Sequence, residues 1–241
     1  MTQDQFIDSV EAAFAPLADR AMAVRMERYL LDRYVFIGLP APTRREAVMA
    51  LIAQPMASAQ SLLGLAQALW KKPQREYRYT AIDLLVRHRR LLASSDIPAL
   101  RELLETDSWW ETVDGLTSVI GAVLRGSDRI SGQAMMDQWV NDGNFWVRRA
   151  AMLHQLGWRL ETDRHRLFDY AERLGPEKEF FIRKSIGWAL RDFARWEPES
   201  VRQFVQCHIA ILSPLTVREA LKRLQVVKPD GASLPGTNSS T

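Results

Sequence analysis

Apolar residues recur every three to four positions along almost the whole chain, a spacing typical of amphipathic α-helices. In the first such segment, Phe6, Val10, Ala13 and Phe14 fall on one helix face. No segment alternates convincingly between apolar and polar residues, so no β-strand is predicted. The pattern predicts helices at 5–14, 21–34, 43–52, 58–70, 76–92, 97–105, 109–124, 132–140, 144–158, 163–174, 179–195, 198–207 and 215–224.

The breaks between these segments are short, which favours helices packed against their neighbours in sequence. The clearest break is rich in Gly and Pro at 38–42, and Thr43 is predicted to cap the helix that follows it. From Pro229 onward the chain is rich in Pro, Gly, Ser and Thr, a composition that does not support a packed core. We therefore predict one domain over 1–228 and a disordered tail over 229–241.

The chain also resembles itself at a spacing of 35 residues. Pairs of Val or Ile with Arg stand at 147–148, 182–183 and 217–218, and the small residues Ala150, Ser185 and Ala220 follow at matching places. A period of this length fits a helix-pair repeat of the HEAT or TPR type. The sequence thus predicts an all-α fold, an α-solenoid of helix pairs, with an irregular all-α domain as the alternative.

This register places unusual residues at equivalent positions of successive repeats. Such positions line up along one surface of a solenoid. One position is held by Trp110, Phe145, Phe180 and Leu215; the position four residues later by Asp114, Arg149, Lys184 and Glu219; and Trp188 follows Lys184 by one turn. We expect a groove with one carboxylate and two cations between two tryptophans. Polar rows without chemistry are also common on such helices, so spacing alone leaves both interpretations open.

Composition excludes several classes of protein. Of 241 residues, 47% are hydrophobic and 25% are charged, as in soluble globular proteins, and no apolar run of about 18 residues predicts a membrane span. A single cysteine, Cys207, excludes an internal disulfide framework and favours a cytoplasmic location. The four histidines match no metal-ligand spacing, and no nucleotide-binding or hydrolase motif is present, so no cofactor and no metal are expected.

Charge is distributed in blocks, although the net charge is only +3. Residues 44–92 hold nine Lys or Arg against three Asp or Glu, residues 93–143 hold three against nine, and residues 144–195 hold eleven against seven. Basic blocks on either side of the acidic one suit a polyanionic partner. Solvated helix faces would give the same pattern.

Several segments together resemble one known family. They are SWWETVD at 108–114, NFWVRRAA at 144–151, KEFFIRK at 178–184, IGWALR at 186–191, RY at 28–29 and FIG at 36–38. They are similar to segments of the AlkD-type DNA alkylation-repair glycosylases, and the similarity runs from residue 4 to residue 226. The resemblance implies a solenoid of HEAT-like helix pairs with a concave, basic DNA-binding groove.

The resemblance also implies an activity and a site. The family removes positively charged alkylated purines such as 3-methyladenine and 7-methylguanine from duplex DNA by cleaving the N-glycosidic bond, and it acts without a base-binding pocket. We therefore expect alkylated duplex DNA as the partner of a monomer, located in the cytoplasm and on the nucleoid when bound. The implied catalytic residues are Asp114, Trp110 and Trp188, and the implied DNA-binding residues are Arg149, Lys184, Arg191 and Tyr29.

Two departures from the family pattern leave these positions in place. Glu111 stands where the family often has Asp, and Pro40 stands where a relative has a polar residue. Two other functions remain open, because a fold does not by itself define an activity. One is a solenoid that binds damaged or branched DNA without catalysis, and the other is a protein-binding scaffold. Asp114 one turn after Trp110 disfavours both.

Overall fold

The computed structural model describes residues 2–126, 129–222 and 224, and the regular structure of these residues is helical. Short turns and 3₁₀ segments join the helices, and an isolated bridge pairs Val35 with Gln74. The helices of the described residues are α1 (Gln3–Phe14), α2 (Arg20–Tyr29), α3 (Ala41–Ile52), α4 (Ala59–Trp70), α5 (Arg75–His88), α6 (Ile97–Glu105), α7 (Trp110–Gly126), α8 (Arg129–Trp139), α9 (Phe145–Leu153), α10 (Arg164–Leu174), α11 (Phe180–Phe193), α12 (Pro198–Cys207) and α13 (Pro214–Leu221). The all-α fold class is confirmed.

The chain divides into two compact units, with the boundary between Leu156 and Gly157. The first unit holds α1 to α9, and the second holds α10 to α13. The single domain over 1–228 and the concave basic groove stay predictions. The tail predicted at 229–241 lies outside the described residues. None of the described helices is long and apolar enough to cross a membrane.

The first residues of alternate helices repeat at the predicted spacing of 35 residues. Arg75, Trp110, Phe145 and Phe180 are the first residues of α5, α7, α9 and α11, and Pro214 opens α13 one residue ahead of the same register. We call α3, α5, α7, α9, α11 and α13 the register helices. Within the first unit α3 packs on α5, α5 on α7 and α7 on α9, and within the second α11 packs on α13. Equivalent positions of neighbouring register helices therefore come side by side inside each unit.

Side-chain caps explain many of the helix starts. Ser58, Asn144, Asp163 and Glu179 each accept a backbone N–H of the helix that follows, which satisfies a donor that the helix itself leaves unpaired. The prediction that Thr43 is a cap is wrong. The helix α3 begins earlier, at Ala41, because proline is well suited to the first turn of a helix and Pro42 occupies it.

The end of α2 also differs from the sequence prediction, which carried this helix to residue 34. It stops at Tyr29, because Leu31 and Asp32 have the left-handed φ angles of 60° and 56°. The N–H groups of Leu31 and Asp32 donate to the carbonyls of Arg28 and Glu27, which closes the helix end. Left-handed backbone costs an L-residue other than glycine roughly 1–2 kcal/mol, and a leucine is unusual there.

The loop before α3 is organised around a buried carboxylate. Glu76 accepts the N–H groups of Ile37, Gly38 and Leu39 at 2.8–3.1 Å and is fully buried. Gly38 has a φ of +100°, and a Cβ there would lie 1.9 Å from the carbonyl oxygen of Asp19. Only glycine fits this close approach, which brings the loop back to the start of α2.

Three arginines, each the fourth residue of a register helix, close the turn that leads into that helix. Arg78 donates to the carbonyl of Trp70, Arg148 to that of Asp142, and Arg183 to that of Glu177. The Val-Arg and Ile-Arg pairs that revealed the repeat thus have a structural basis at 148 and 183. Their side chains fix the turns between helices.

Candidate active site

A carboxylate and a guanidinium form the centre of the candidate site in the first unit. Asp114 lies one turn into α7, and Arg149 lies one turn into α9. The Nε and Nη2 atoms of Arg149 donate to the two carboxylate oxygens of Asp114, each at 2.8 Å. Such a bidentate pair fixes the plane of the carboxylate. These two positions, 35 residues apart, therefore lie side by side on neighbouring register helices. The charged surface row that also includes Lys184 stays a prediction.

The two partners differ in exposure, and this changes the role predicted for Arg149. The Arg149 side chain is 1% exposed, whereas that of Asp114 is 24% exposed. We expected Arg149 to hold a DNA phosphate. In the structure its guanidinium is instead buried and bound to Asp114. The carboxylate is therefore the member of the pair that solvent, or a substrate, can reach.

An aromatic cluster lies beside this pair at the start of α7. The rings of Tyr29 and Trp110 meet edge to face with their centroids 6.1 Å apart. Trp110 is half-buried against the cluster around Leu30, while Tyr29 is 71% exposed. Trp110 thus has a packed side and an accessible side, and Tyr29 extends the accessible aromatic surface. One helical turn separates this surface from Asp114.

Trp109 makes different contacts from those of Trp110. Its ring meets Trp146 of α9 at a centroid distance of 5.8 Å, and the guanidinium of Arg33 lies 4.2 Å above it. Its contact with the buried Trp146 makes Trp109 the structural anchor of the tryptophan pair.

Arg75 binds residues that lie before and after the two tryptophans in the chain. The sequence pattern did not identify it as a site residue. It is fully buried at the start of α5, and its guanidinium lies 3.7 Å from the centroid of the Tyr34 ring. Its three nitrogens donate to the carbonyl of Asp107, the carboxylate of Glu111 and the hydroxyl of Thr112, at 2.7–3.1 Å. Arg75 occupies the register position of Trp110 one repeat earlier. The 35-residue spacing could therefore have indicated that Arg75 contacts the start of α7.

Two phenols complete this network. Tyr34 donates to the carbonyl of Ser108 at 3.2 Å, and Tyr79 donates to Glu111 at 3.2 Å. Burial, with the carboxylate of Glu111 as a further cause, raises the pKa of Tyr79 well above its usual value. Tyr79 therefore stays a neutral donor to Glu111 at physiological pH. The start of α7 is fixed from several directions.

The second unit holds the other predicted site residues, all on α11. The ammonium of Lys184 lies 5.9 Å from the ring centroid of Phe180 and 5.7 Å from that of Trp188. Glu219 of α13 lies 2.5 Å from Arg191 and 3.9 Å from Lys184. The cations predicted to bind DNA thus share an internal carboxylate, and their DNA contacts stay predictions.

The structure therefore brings Tyr29, Trp110, Asp114 and Arg149 together in the first unit. It gathers Lys184, Trp188 and Arg191 along α11 in the second. Within the described residues, no group of three or more His, Cys, Asp or Glu side chains could hold a metal ion.

Helices in a constant register, with a carboxylate–arginine pair beside accessible aromatic rings, define a helical-repeat protein with a candidate site on its register helices. Residues 10–224 match the family model described as DNA alkylation repair enzyme. The chain belongs to this family, and the resemblance seen in the sequence is confirmed.

Solved structures support the fold. A protein of Enterococcus faecalis, described as a predicted DNA alkylation repair enzyme, is 28% identical, with a TM-score of 0.79 over 87% of this chain and 97% of that one. AlkD2 of Streptococcus mutans is 18% identical, with a TM-score of 0.55 over 74% and 87%. The smu.31 protein of Streptococcus mutans UA159 is 17% identical, with a TM-score of 0.55 over 83% and 96%. None of the curated proteins has a significant match.

Proposed function

We propose that this protein is a DNA glycosylase that excises positively charged alkylated purines, such as 3-methyladenine and 7-methylguanine, from duplex DNA. The observation that carries the proposal is the partly exposed carboxylate of Asp114, held by the buried Arg149 beside Trp110. Membership of the DNA alkylation repair family supports DNA as the partner. The protein acts as a cytoplasmic monomer in this proposal.

The reaction needs little acid catalysis. Alkylation at N3 or N7 leaves a cationic purine, which departs as a neutral base when the N-glycosidic bond breaks. Positive charge then develops on the deoxyribose as an oxocarbenium-like centre. A fixed negative charge next to that sugar lowers the barrier, because it stabilises the transition state more than the ground state.

Asp114 supplies this charge in a fixed orientation. Each of its oxygens accepts one hydrogen bond from Arg149, and a carboxylate oxygen can accept another. The carboxylate can therefore also hold the water that attacks the sugar. Arg149 acts as a positioning residue, since it contacts Asp114 and is itself buried.

Aromatic rings form the rest of the proposed sugar-binding surface. Trp110 and Tyr29 of the first unit offer an accessible edge-to-face pair. The catalytic role implied for Trp188, which lies beside Lys184 in the second unit, stays a separate prediction. Ring faces attract a nearby cation, so they favour the charged sugar as well as the charged base. Recognition of the sugar rather than the base needs no pocket around the base. Bulky cationic adducts should then be substrates too.

The test is release of 7-methylguanine from a duplex oligonucleotide with a single lesion, under single-turnover conditions. Loss of one preorganised electrostatic group lowers catalysis by roughly 10²–10³-fold, and we expect this loss for Asp114→Asn. Asp169→Asn is the matched control, because Asp169 also pairs with an arginine but is exposed on α10 of the other unit. It should release base at the wild-type rate.

Two results would contradict the proposal. Equal rates for Asp114→Asn and wild type would remove the carboxylate from the mechanism. Binding of methylated duplex by the wild-type protein without any base release would support the non-catalytic alternative.

A further inference from the structure

The turn after α2 exposes an apolar side chain, that of Leu31, on left-handed backbone. Leu31 has a φ of 60° and is 68% exposed. Glycine is the usual residue at this position of a helix end, because it adopts left-handed backbone without strain. Leu31 buries little apolar surface within the protein, so its side chain offsets little of the strain.

The turn is nevertheless held firmly against the candidate active site. On one side of Leu31, Tyr29 meets Trp110 edge to face. On the other side, Arg33 lies 4.2 Å above Trp109, and Tyr34 donates to the carbonyl of Ser108. Contacts on both sides keep the strained backbone in place. Leu31 is thereby fixed next to the tryptophan pair.

We propose that Leu31 is an apolar contact to duplex DNA, packing on sugar edges in the minor groove beside the lesion. This rests on the proposed function, since a deoxyribose at Trp110 and Asp114 places its neighbours along the same surface. Apolar side chains contact the minor groove in many DNA-binding proteins. Arg28 and Arg33 are exposed on either side of the turn and can meet phosphates.

Charge alone does not account for such a contact. Asp32 lies next to Leu31 and is exposed, and its carboxylate is repelled by phosphates. The contribution of Leu31 to the affinity for duplex DNA is therefore apolar, and it should not depend on the salt concentration. This property separates it from the arginines around it.

The experiment uses Leu31→Asn, because asparagine has a similar size and tolerates left-handed backbone. Relief of strain should raise the melting temperature by about 2–4 °C. Loss of the apolar contact should weaken binding to an undamaged duplex by about tenfold. The slope of log Kd against log salt should stay at the wild-type value, because no phosphate contact is lost.

Two control variants separate strain from contact. Asp32→Gly relieves left-handed strain at the next residue, so it should raise the melting temperature and bind the duplex at least as tightly as wild type. Leu160→Asn removes a leucine that is 70% exposed in the second unit, and it should leave duplex binding unchanged.

A Leu31→Asn variant that gains stability and binds the duplex like wild type would overturn the inference, while base release by the wild type would still support the glycosylase. Conversely, weaker binding by Leu31→Asn in a protein that releases no base would support the contact and refute the enzymatic proposal. The two ideas can thus fail separately.

Discussion

The two parallel hydrogen bonds from Arg149 to Asp114 give the pair a geometry that charge alone would not provide. A lysine at 149 would keep the positive charge but lose the planar, two-point contact. We expect Arg149→Lys to lower the single-turnover rate of 7-methylguanine release by about tenfold or more, since a hydrogen bond to a charged group contributes about 1.5–3 kcal/mol.

Arg149→Gln, which removes the positive charge, distinguishes a positioning role from a phosphate contact. If Arg149 positions Asp114, the Kd for undamaged duplex and its salt dependence should match those of the wild type. A lower salt slope with an unchanged chemical rate would instead show that Arg149 binds phosphate. Arg173→Gln, in an exposed pair with Asp169, provides the control.

For individual residues, the sequence predicted which side chains contact each other, but it did not predict how far each side chain is exposed to solvent. The spacing of 35 residues placed Arg149 beside Asp114, and the pair is present. Nothing in the spacing indicated that Arg149 would be buried and Asp114 accessible, because burial depends on neighbouring helices. The roles of Arg149 and Arg75 therefore had to be read from the structure.

Helix starts were more predictable than helix ends. The starts of α9 and α11 follow from caps and the repeat, and the start of α7 follows from the repeat. Each lies within one residue of its predicted position. The end of α2 was missed because it depends on left-handed backbone at Leu31, a residue with no turn preference. A sequence shows the residues that usually adopt such a turn, and leucine is not among them.

The contact between α5 and α7 should contribute much of the stability of the first unit. Arg75→Ala leaves Glu111 and two further acceptors without their buried donor. Breaking a buried ion pair from one side costs about 3–5 kcal/mol, and we expect a loss of this size in urea unfolding. Arg173→Ala breaks an exposed pair and should cost about 1 kcal/mol or less.

A second measurement tests whether Arg75 also positions the tryptophans. Arg75→Lys keeps the buried charge but cannot donate in three directions, so it should recover part of the stability. Its near-ultraviolet circular dichroism should still differ from wild type, because Trp109 and Trp110 are held less rigidly. A spectrum identical to wild type in a folded Arg75→Lys protein would limit Arg75 to stability.

Across the whole molecule, the charge blocks of the sequence turn out to pair with one another. The acidic block meets the basic blocks on either side through Asp107 with Arg78, Glu111 with Arg75, and Asp114 with Arg149. Part of the basic charge counted in the sequence is therefore neutralised inside the protein. Counting residues overestimates the charge that remains for a polyanion.

Even so, we expect duplex binding to depend strongly on salt. Each phosphate contact releases counterions, and several such contacts would weaken binding by on the order of a hundredfold between about 50 and 200 mM salt. Fluorescence anisotropy with an undamaged duplex measures this directly. Affinity that is insensitive to salt would show that the basic side chains do not contact phosphates.

The arginines that close the turns before α5, α9 and α11 also limit where residues can be inserted into the chain. Arg78, Arg148 and Arg183 each reach back over a turn of fixed size, so an insertion there would pull a guanidinium away from its carbonyl. The intervening helices α4, α6, α8, α10 and α12 begin at Ala59, Ile97, Arg129, Arg164 and Pro198, at less regular intervals than the register helices. Natural length variation, or an engineered affinity handle, therefore belongs in connections such as the exposed stretch 53–58, where the register of the site is left undisturbed.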